Sequence, residues 1–540
     1  PIAIICRITH ILMNKFKYII IGAGSAGCAL ANRLSKDKNN QVLLIEAGPK
    51  DNSAKIKMPL SASSLFKDKK LGWGYESIKQ SNLNNRYINS PRGKTLGGSS
   101  STNGMVYIRG QAEDYNKFAQ DGCIGWSFND LLPYFRSIEN NQTITDQYHG
   151  NFGDVWVDTF NYSLPISKKF INAVNEKGIK KTYDFNGSDQ EGVGYYQVNI
   201  KDGRRFSSAD AFLKDIKTRK NLKIVNNAIT SKIIIKNNQA LGVEFERKNK
   251  ISTVLCNGEI ILAAGAINSP QILNLSGIGN GNVLRKYGIN VIVDNKNVGE
   301  HLQDHLTVNV SFNVNQNTFY EELRGINLIK HLFNYMIKGK SIFSYSAADV
   351  GVFFKLNSSS KRPDFQIHFA PGAGEYHNDG TMNPISGITA SVCHLRPQSR
   401  GTVKIASNNH NQAPLIDYNY LSVESDKEYL LEGVKKTRDF FNAIALADLA
   451  PKEILPGSQI NTDEQLKEFI KETALSVYHP VGTCKMGVNN KAVVDPDLKV
   501  YGVKNLRVAD ASILPNIISG NTNAICNVIG VKCADMILNQ

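Results

Sequence analysis

Gly22-Ala23-Gly24-Ser25-Ala26-Gly27 follows the apolar run Tyr18-Ile19-Ile20-Ile21, and Glu46 follows a second such run, Val42-Leu43-Leu44-Ile45, nineteen residues after the last glycine. Glycine-rich hexapeptides also mark ordinary turns. Here the strand pattern before, the helix pattern after and the acid at this distance predict a dinucleotide-binding βαβ unit. The first glycine turns the chain, the second lets backbone approach a pyrophosphate, and the third lets the helix pack on the strand. The helix N-terminus then faces the phosphate charge. Glu46 is placed to accept hydrogen bonds from a ribose hydroxyl and to repel a 2′-phosphate, so FAD or NAD is expected in preference to NADP.

The rest of the chain bounds what surrounds that unit. With 540 residues, 41% hydrophobic and 21% charged, it is long enough for two or three globular domains. It contains no run of eighteen apolar residues, so no membrane span is expected. The net charge of +15 could draw polyanions. Its lysines, however, are scattered among asparagines and isoleucines without a dense block, and no nucleic-acid partner is expected. A peripheral membrane contact stays open, although no amphipathic basic helix announces one.

The eight cysteines, Cys6, Cys28, Cys123, Cys256, Cys393, Cys484, Cys526 and Cys533, form no CxxC pair and are expected as reduced, mostly buried thiols. His301 and His305 sit four apart, a spacing that on a helix would allow a metal, but no third ligand accompanies them and none is expected. The first methionine is Met13, directly before the first strand. Residues 1–12 are therefore expected to be upstream translation, with the mature chain starting near Met13 and remaining in the cytoplasm.

Downstream, Asp114 to about Asp121 reads as a helix. From Asn221, short β-rich runs recur at Leu222–Val225, Ser231–Ile235, Ala240–Phe245, Thr253–Leu255 and Glu259–Ala263, with turns at Asn237-Asn238 and Asn257-Gly258. They predict a meander returning to a parallel strand. A helix is expected to begin at Ser269-Pro270, with serine as cap and proline at its first position. The stretch 305–480 mixes strands at Val308–Val314 and Phe365–Phe369 with helices near Ile326–Ile337, Asp426–Ala443 and Thr462–Glu472, and reads as a substrate-facing domain. A final helix runs from about Asn521 to Leu538, with Ala524, Val528, Val531, Ala534 and Ile537 at helical spacing.

Two segments carry chemistry. Pro91 to Gly110, which contains Thr95-Leu96-Gly97-Gly98-Ser99-Ser100-Ser101-Thr102-Asn103-Gly104-Met105-Val106, is too rich in small residues for a core element and offers exposed amides to a flat ligand. Together with Gly265-Ala266-Ile267-Asn268-Ser269-Pro270 through Gly279, it resembles the paired signatures of the glucose-methanol-choline (GMC) flavoprotein oxidoreductases. Gly125-Trp126-Ser127, Asn297-Val298-Gly299-Glu300, Leu395-Arg396-Pro397, His479-Pro480-Val481-Gly482-Thr483-Cys484 and Gly520-Asn521-Thr522-Asn523-Ala524 extend the resemblance over nearly the whole chain from Tyr18. It is strongest toward the choline dehydrogenase-like alcohol dehydrogenases.

The resemblance implies an α/β fold in which a Rossmann-type FAD domain is interleaved with a substrate domain on a mostly antiparallel sheet. Residues 13–300 would form mainly the FAD domain, with 485–540 returning to it and parts of 51–85 and 115–200 on the substrate side; 301–484 would be mainly substrate-binding. FAD would be held through Gly22, Gly24, Gly27 and Glu46, with Arg92, Thr95, Gly98 and Ser99 along its pyrophosphate and ring, Asn103, Gly104, Met105 and Val106 against the flavin, Thr230 near adenine, and Asp510, Ala511, Asn523 and Ala524 completing the site. In some members a histidine just before the equivalent of Asn103 links covalently to the flavin. Thr102 stands there, so the FAD is expected to be non-covalent.

The implied activity is oxidation of a primary alcohol to an aldehyde by hydride transfer, with electrons leaving to oxygen, a quinone or a carrier. His479 would be the base, since imidazole titrates near neutrality. Asn523 would hold the substrate oxygen, although Asn521, Thr522 and Asn523 also suit a helix cap. After Asn523-Ala524 many members carry Pro-Thr, whereas this chain has Ile525-Cys526, which alters the flavin's surroundings. Asp349, with Tyr345, Phe353 and Phe354 nearby, falls close to where choline-acting members carry a glutamate. Its shorter reach makes a nonpolar or aromatic alcohol the expected substrate ahead of choline. A redox-neutral lyase or photodecarboxylase on the same scaffold is the alternative reading, and a flavin-binding protein without catalysis is a third.

Overall fold

The computed structural model describes residues 10–160, 162–376 and 382–539. Cys6 and most of the segment 1–12 lie outside them. The first strand, His10–Ile21, pairs in parallel with Val42–Ile45 on one side and with Lys250–Leu262 on the other. Leu222–Val225 adds beyond Val42–Ile45, and Leu506–Val508 lies parallel to the end of Lys250–Leu262. The antiparallel strands Gln239–Arg247 and Ile229–Lys236 complete this seven-stranded sheet. Ile19, Ile20, Leu43, Leu44, Ile260 and Ile261 are buried, so neither face of the parallel part is open to solvent.

Two local expectations are corrected. Asn257-Gly258 is no turn: Lys250–Leu262 is a single strand, irregular in register opposite Lys15–Tyr18. A Cβ on Gly258 would lie 2.3 Å from the Lys17 carbonyl oxygen, so glycine there permits a close approach and not a reversal. The helix expected from Ser269 begins four residues earlier, spanning Gly265–Leu275 with Pro270 inside it. Proline cannot donate to the Ala266 carbonyl, and the Thr483 hydroxyl donates to that oxygen instead at 2.6 Å.

A second seven-stranded sheet has the order Lys452–Leu455, Leu306–Asn313, Ile388–His394, Phe365–Ala370, Val350–Phe354 and Gly192–Tyr195, with Leu475–Ser476 also pairing Leu306–Asn313. Every pairing is antiparallel. Side chains alternate across it. Val308, Val310, Ile367, Phe369, Ala390 and Val392 enter a core shared with the helices Pro165–Glu176 and Glu424–Phe440. Asn309, Ser391 and His368 lie side by side in register on the other face, which roofs a large cavity. The C-terminal helix Asn523–Leu538 is buried on nearly all sides, packed on Ser25–Leu34 and Phe128–Ile138. Among the described residues no helix is long and apolar enough to cross a membrane.

Candidate active site

A cavity of about 1750 Å³ lies between the two sheets, larger than the roughly 300–1000 Å³ of a drug-sized site. The glycine loop forms one wall. Gly22 adopts φ +97°, and a Cβ on Gly27 would stand 1.9 Å from the Gly22 carbonyl oxygen, so the turn and the helix above it close only with glycine at both positions. The helix Ser25–Leu34 has no side-chain cap and no acid in its first turn, which leaves amides and dipole available to an anion. Glu46 accepts from the Ala23 and Gly48 amides at 2.9 and 2.8 Å. Each of its oxygens retains a second lone pair for a ribose hydroxyl. Burial raises its pKa to about 7 against those two hydrogen bonds.

The residues expected to hold a flavin fall into two groups. Gly22, Gly24, Glu46, Arg92, Gly98, Ser99, Asn103, Gly104, Met105, Val106, Thr230, Asp510, Ala511 and Asn523 line the cavity. Gly27, Thr95 and Ala524 do not: they stand behind the lining, Thr95 donating its hydroxyl to the Pro49 carbonyl. The Pro91–Gly110 segment is shaped by a residue the sequence did not signal. Buried Arg205 donates to the Asn103 carbonyl at 2.6 Å, to the Asn103 side chain at 2.8 Å and to the Ser100 carbonyl at 3.2 Å. Asp510 accepts from the Gly265 amide, the Ser269 hydroxyl and the Ser512 amide, and so fixes the start of the Gly265–Leu275 helix at the cavity edge. An uncapped helix end, a glycine cradle and a flat backbone wall suit a dinucleotide with a planar ring.

His479 lies at the roof, on a loop clamped by paired amide–carbonyl bonds between Gln303 and Val481 and by Arg92 donating to the Tyr478 carbonyl. Its own amide donates to Asp304. Its ring is held from both sides. Nδ1 lies 3.1 Å from His305 Nδ1, and His305 Nε2 lies 2.9 Å from the Leu395 carbonyl. A carbonyl only accepts, so the network assigns the His305 proton to Nε2, leaving Nδ1 to accept from His479 Nδ1. His479 Nε2 is then the bare nitrogen.

That nitrogen faces the Asn521 amide at 3.1 Å. Asn521 is oriented by Gln366, which donates to its carbonyl oxygen at 3.2 Å. Burial, then the neighbouring His305, His368 and Arg92, hold the His479 pKa well below 6.5.

This arrangement corrects two expectations, for Asn523 and Asp349. Asn523 is turned toward the glycine loop, donating to Ser25 Oγ at 2.8 Å, and the side chain beside His479 is Asn521. His301 and His305 lie on no helix, and the position of His305 is explained by its contact with His479. Asp349 is fully buried away from the cavity, accepting from Ser167 at 2.6 Å, while its neighbours Ala347 and Ala348 line the space. His305, Gln366 and Arg205 carried no sequence signal for these roles beyond residue type.

The family model described as GMC oxidoreductase matches twice, its N-terminal part over residues 16–307 and its C-terminal part over 397–530. The chain is 42% identical over 534 residues to an alcohol dehydrogenase [acceptor] of Pseudomonas putida, covering 97% of this chain and 96% of that one. It is 38% identical over 527 residues to an oxygen-dependent choline dehydrogenase of Brucella ovis, covering 97% and 95%. Among solved structures, an FAD-dependent oxidoreductase from Chaetomium thermophilum superposes with a TM-score of 0.90 at 28% identity, over 97% of this chain and 99% of the other. The cradle between the two sheets and these matches agree: the chain belongs to the GMC oxidoreductase family, FAD-dependent enzymes that act on CH–OH donors.

Proposed function

We propose that the protein oxidises a nonpolar or aromatic primary alcohol to its aldehyde, with His479 Nε2 taking the hydroxyl proton and the Asn521 amide holding the substrate oxygen. The observation that carries this reading is the unprotonated Nε2 of His479, at the roof of the cavity and paired with an amide donor. FAD, when bound, would supply the hydride acceptor, and an acceptor outside the chain would take up the electrons. His479 is neutral at neutral pH because burial disfavours its charge, so it is ready to receive a proton. The cavity wall near it includes Phe66, Tyr75, Ile88, Leu455, Leu475 and Val477. With Asp349 outside that wall, the buried counter-charge anticipated for a quaternary ammonium is missing, which supports an apolar alcohol over choline.

Thr102, on the cavity wall, has no imidazole with which to attack a flavin, and the FAD is read as dissociable. The seven described cysteines are all free, which suits a reducing compartment such as the cytoplasm.

Anaerobic mixing of the FAD-loaded protein with aliphatic primary alcohols, benzyl alcohol and choline tests the reading. Apolar alcohols should bleach the oxidised flavin in the dark. His479→Ala should retain flavin yet slow the bleaching by about 10²–10⁴, the usual range for a general base. Light-dependent turnover without bleaching would instead select the lyase alternative.

A further inference from the structure

The helix Gly325–Lys338 is amphipathic, but its apolar face points the wrong way for a core element. Ile326, Ile329, Leu332, Phe333, Met336 and Ile337 recur at helical spacing along one side and are 50–77% exposed. His331 is its only buried residue, tied to Glu322 at 3.0 Å. Tyr335 packs toward Phe343 with ring centroids 5.8 Å apart. Scattered surface leucines are ordinary; six large apolar side chains contiguous on one exposed helix face are not.

The charges around this face are mainly positive. Arg324, Lys330, Lys338 and Lys340 are exposed, and among the described residues none forms an ion pair with a carboxylate. Of the nearby acids, Glu321 is engaged by the Thr318 amide and hydroxyl and Glu322 by His331, while Asp158 lies within electrostatic range of Lys340 and Asp202 beside Gly339 is exposed. A second copy meeting this face across a two-fold axis would set Arg324, Lys330 and Lys338 near their own images, an excess of cations over acids. Acidic headgroups above an acyl layer match both parts of the surface, cation to anion and apolar face to hydrocarbon.

We propose that Gly325–Lys338 docks the protein on the surface of an anionic lipid bilayer, lying in the interface with Ile326, Ile329, Phe333 and Met336 inserted and Lys330 and Lys338 at headgroup level. Beyond the helix the chain runs through Ile342–Ser344 to Ala347 and Ala348 in the cavity wall, so the docked element is continuous with the site. The proposal stands independently of the alcohol-oxidation reading.

The test is flotation of the FAD-loaded full chain with vesicles of equal parts phosphatidylcholine and phosphatidylglycerol, and with phosphatidylcholine alone. The protein should rise with the anionic vesicles, less with the neutral ones, and less as salt is added. Ile329→Glu/Phe333→Glu should stay at the bottom while keeping its flavin and its melting temperature. Lys330→Glu/Lys338→Glu should lower partitioning into anionic vesicles by about tenfold or more. The proposal is overturned if the wild type floats with neither vesicle or if Ile329→Glu/Phe333→Glu floats as well as the wild type. It is likewise overturned if a sizing column shows a dimer that this variant splits while lipid binding is absent.

Discussion

His479 was singled out as the base by the family resemblance that His479-Pro480-Val481-Gly482-Thr483-Cys484 carries, but its partner was not. Asn521, Thr522 and Asn523 are all polar and precede one helix, and only the fold shows that Asn521 turns to His479 while Asn523 turns to Ser25. Asn521→Ala removes the donor proposed to hold the substrate oxygen and should slow flavin reduction by about 10²-fold, by analogy with the loss of one oxyanion donor. Asn523→Ala should leave the reduction rate much less changed and act instead on FAD affinity; stopped-flow reduction and flavin titration of the two variants separate these effects. The pH profile follows from the same ring. Since His479 titrates well below 6.5 and must be neutral to act, reduction should be flat through neutrality and fall only at acidic pH well below that value. An inflection near 6.5 in single-turnover rates would show an unperturbed base. Asp349 misled for a related reason: the family resemblance puts it near the substrate, but its side chain leaves toward Ser167 on the helix Pro165–Glu176.

Elements were readable wherever their periodicity was strong, and their ends were misread where a distant side chain supplied a missing hydrogen bond. Ser269-Pro270 has the look of a helix start because an interior proline normally orphans a carbonyl. Thr483, more than two hundred residues away, supplies the donor that lets the helix begin at Gly265. Thr483→Val keeps the shape but leaves the buried Ala266 oxygen unpaired, at an expected cost of about 1–3 kcal/mol in urea unfolding. Adding Pro270→Ala should recover part of that loss, since an alanine amide can donate to the same oxygen; a strictly additive double-mutant cycle would show that the two residues do not share this carbonyl. The helix Gly325–Lys338 shows the converse case. Its spacing announced a helix, but nothing in a periodic pattern says whether the apolar side faces a core or the solvent.

At the scale of the whole molecule, the dinucleotide half was legible because its parallel strands are signalled locally. The order of the second sheet was not, since Gly192–Tyr195 and Leu475–Ser476 join it from far along the chain. The buried ion cluster that ties the end of the Pro91–Gly110 segment to the rest of the fold was equally invisible. Arg109 pairs with Glu139, whose other oxygen lies 3.2 Å from His149 Nδ1, and His149 Nε2 lies 3.1 Å from Asp184. Asp146 stands beside them, accepting the His149 amide. Burial opposes charge on the His149 ring, but the hydrogen bonds to Asp184 and Glu139 outweigh it and raise the pKa to about 9 from 6.5, in spite of Arg109 nearby. Both ring nitrogens then donate to carboxylates. A histidine whose pKa is raised on folding stabilises fully below its unfolded value, and that contribution is lost as pH rises through the folded one. The cluster should therefore hold the fold firmly at pH 6.5 and release its contribution by pH 9. His149→Gln can donate to only one of the two acids and does not titrate. The gap between wild-type and variant urea midpoints should accordingly be wide at pH 6.5 and narrow markedly at pH 9; a gap independent of pH would mean that His149 is neutral in the native state.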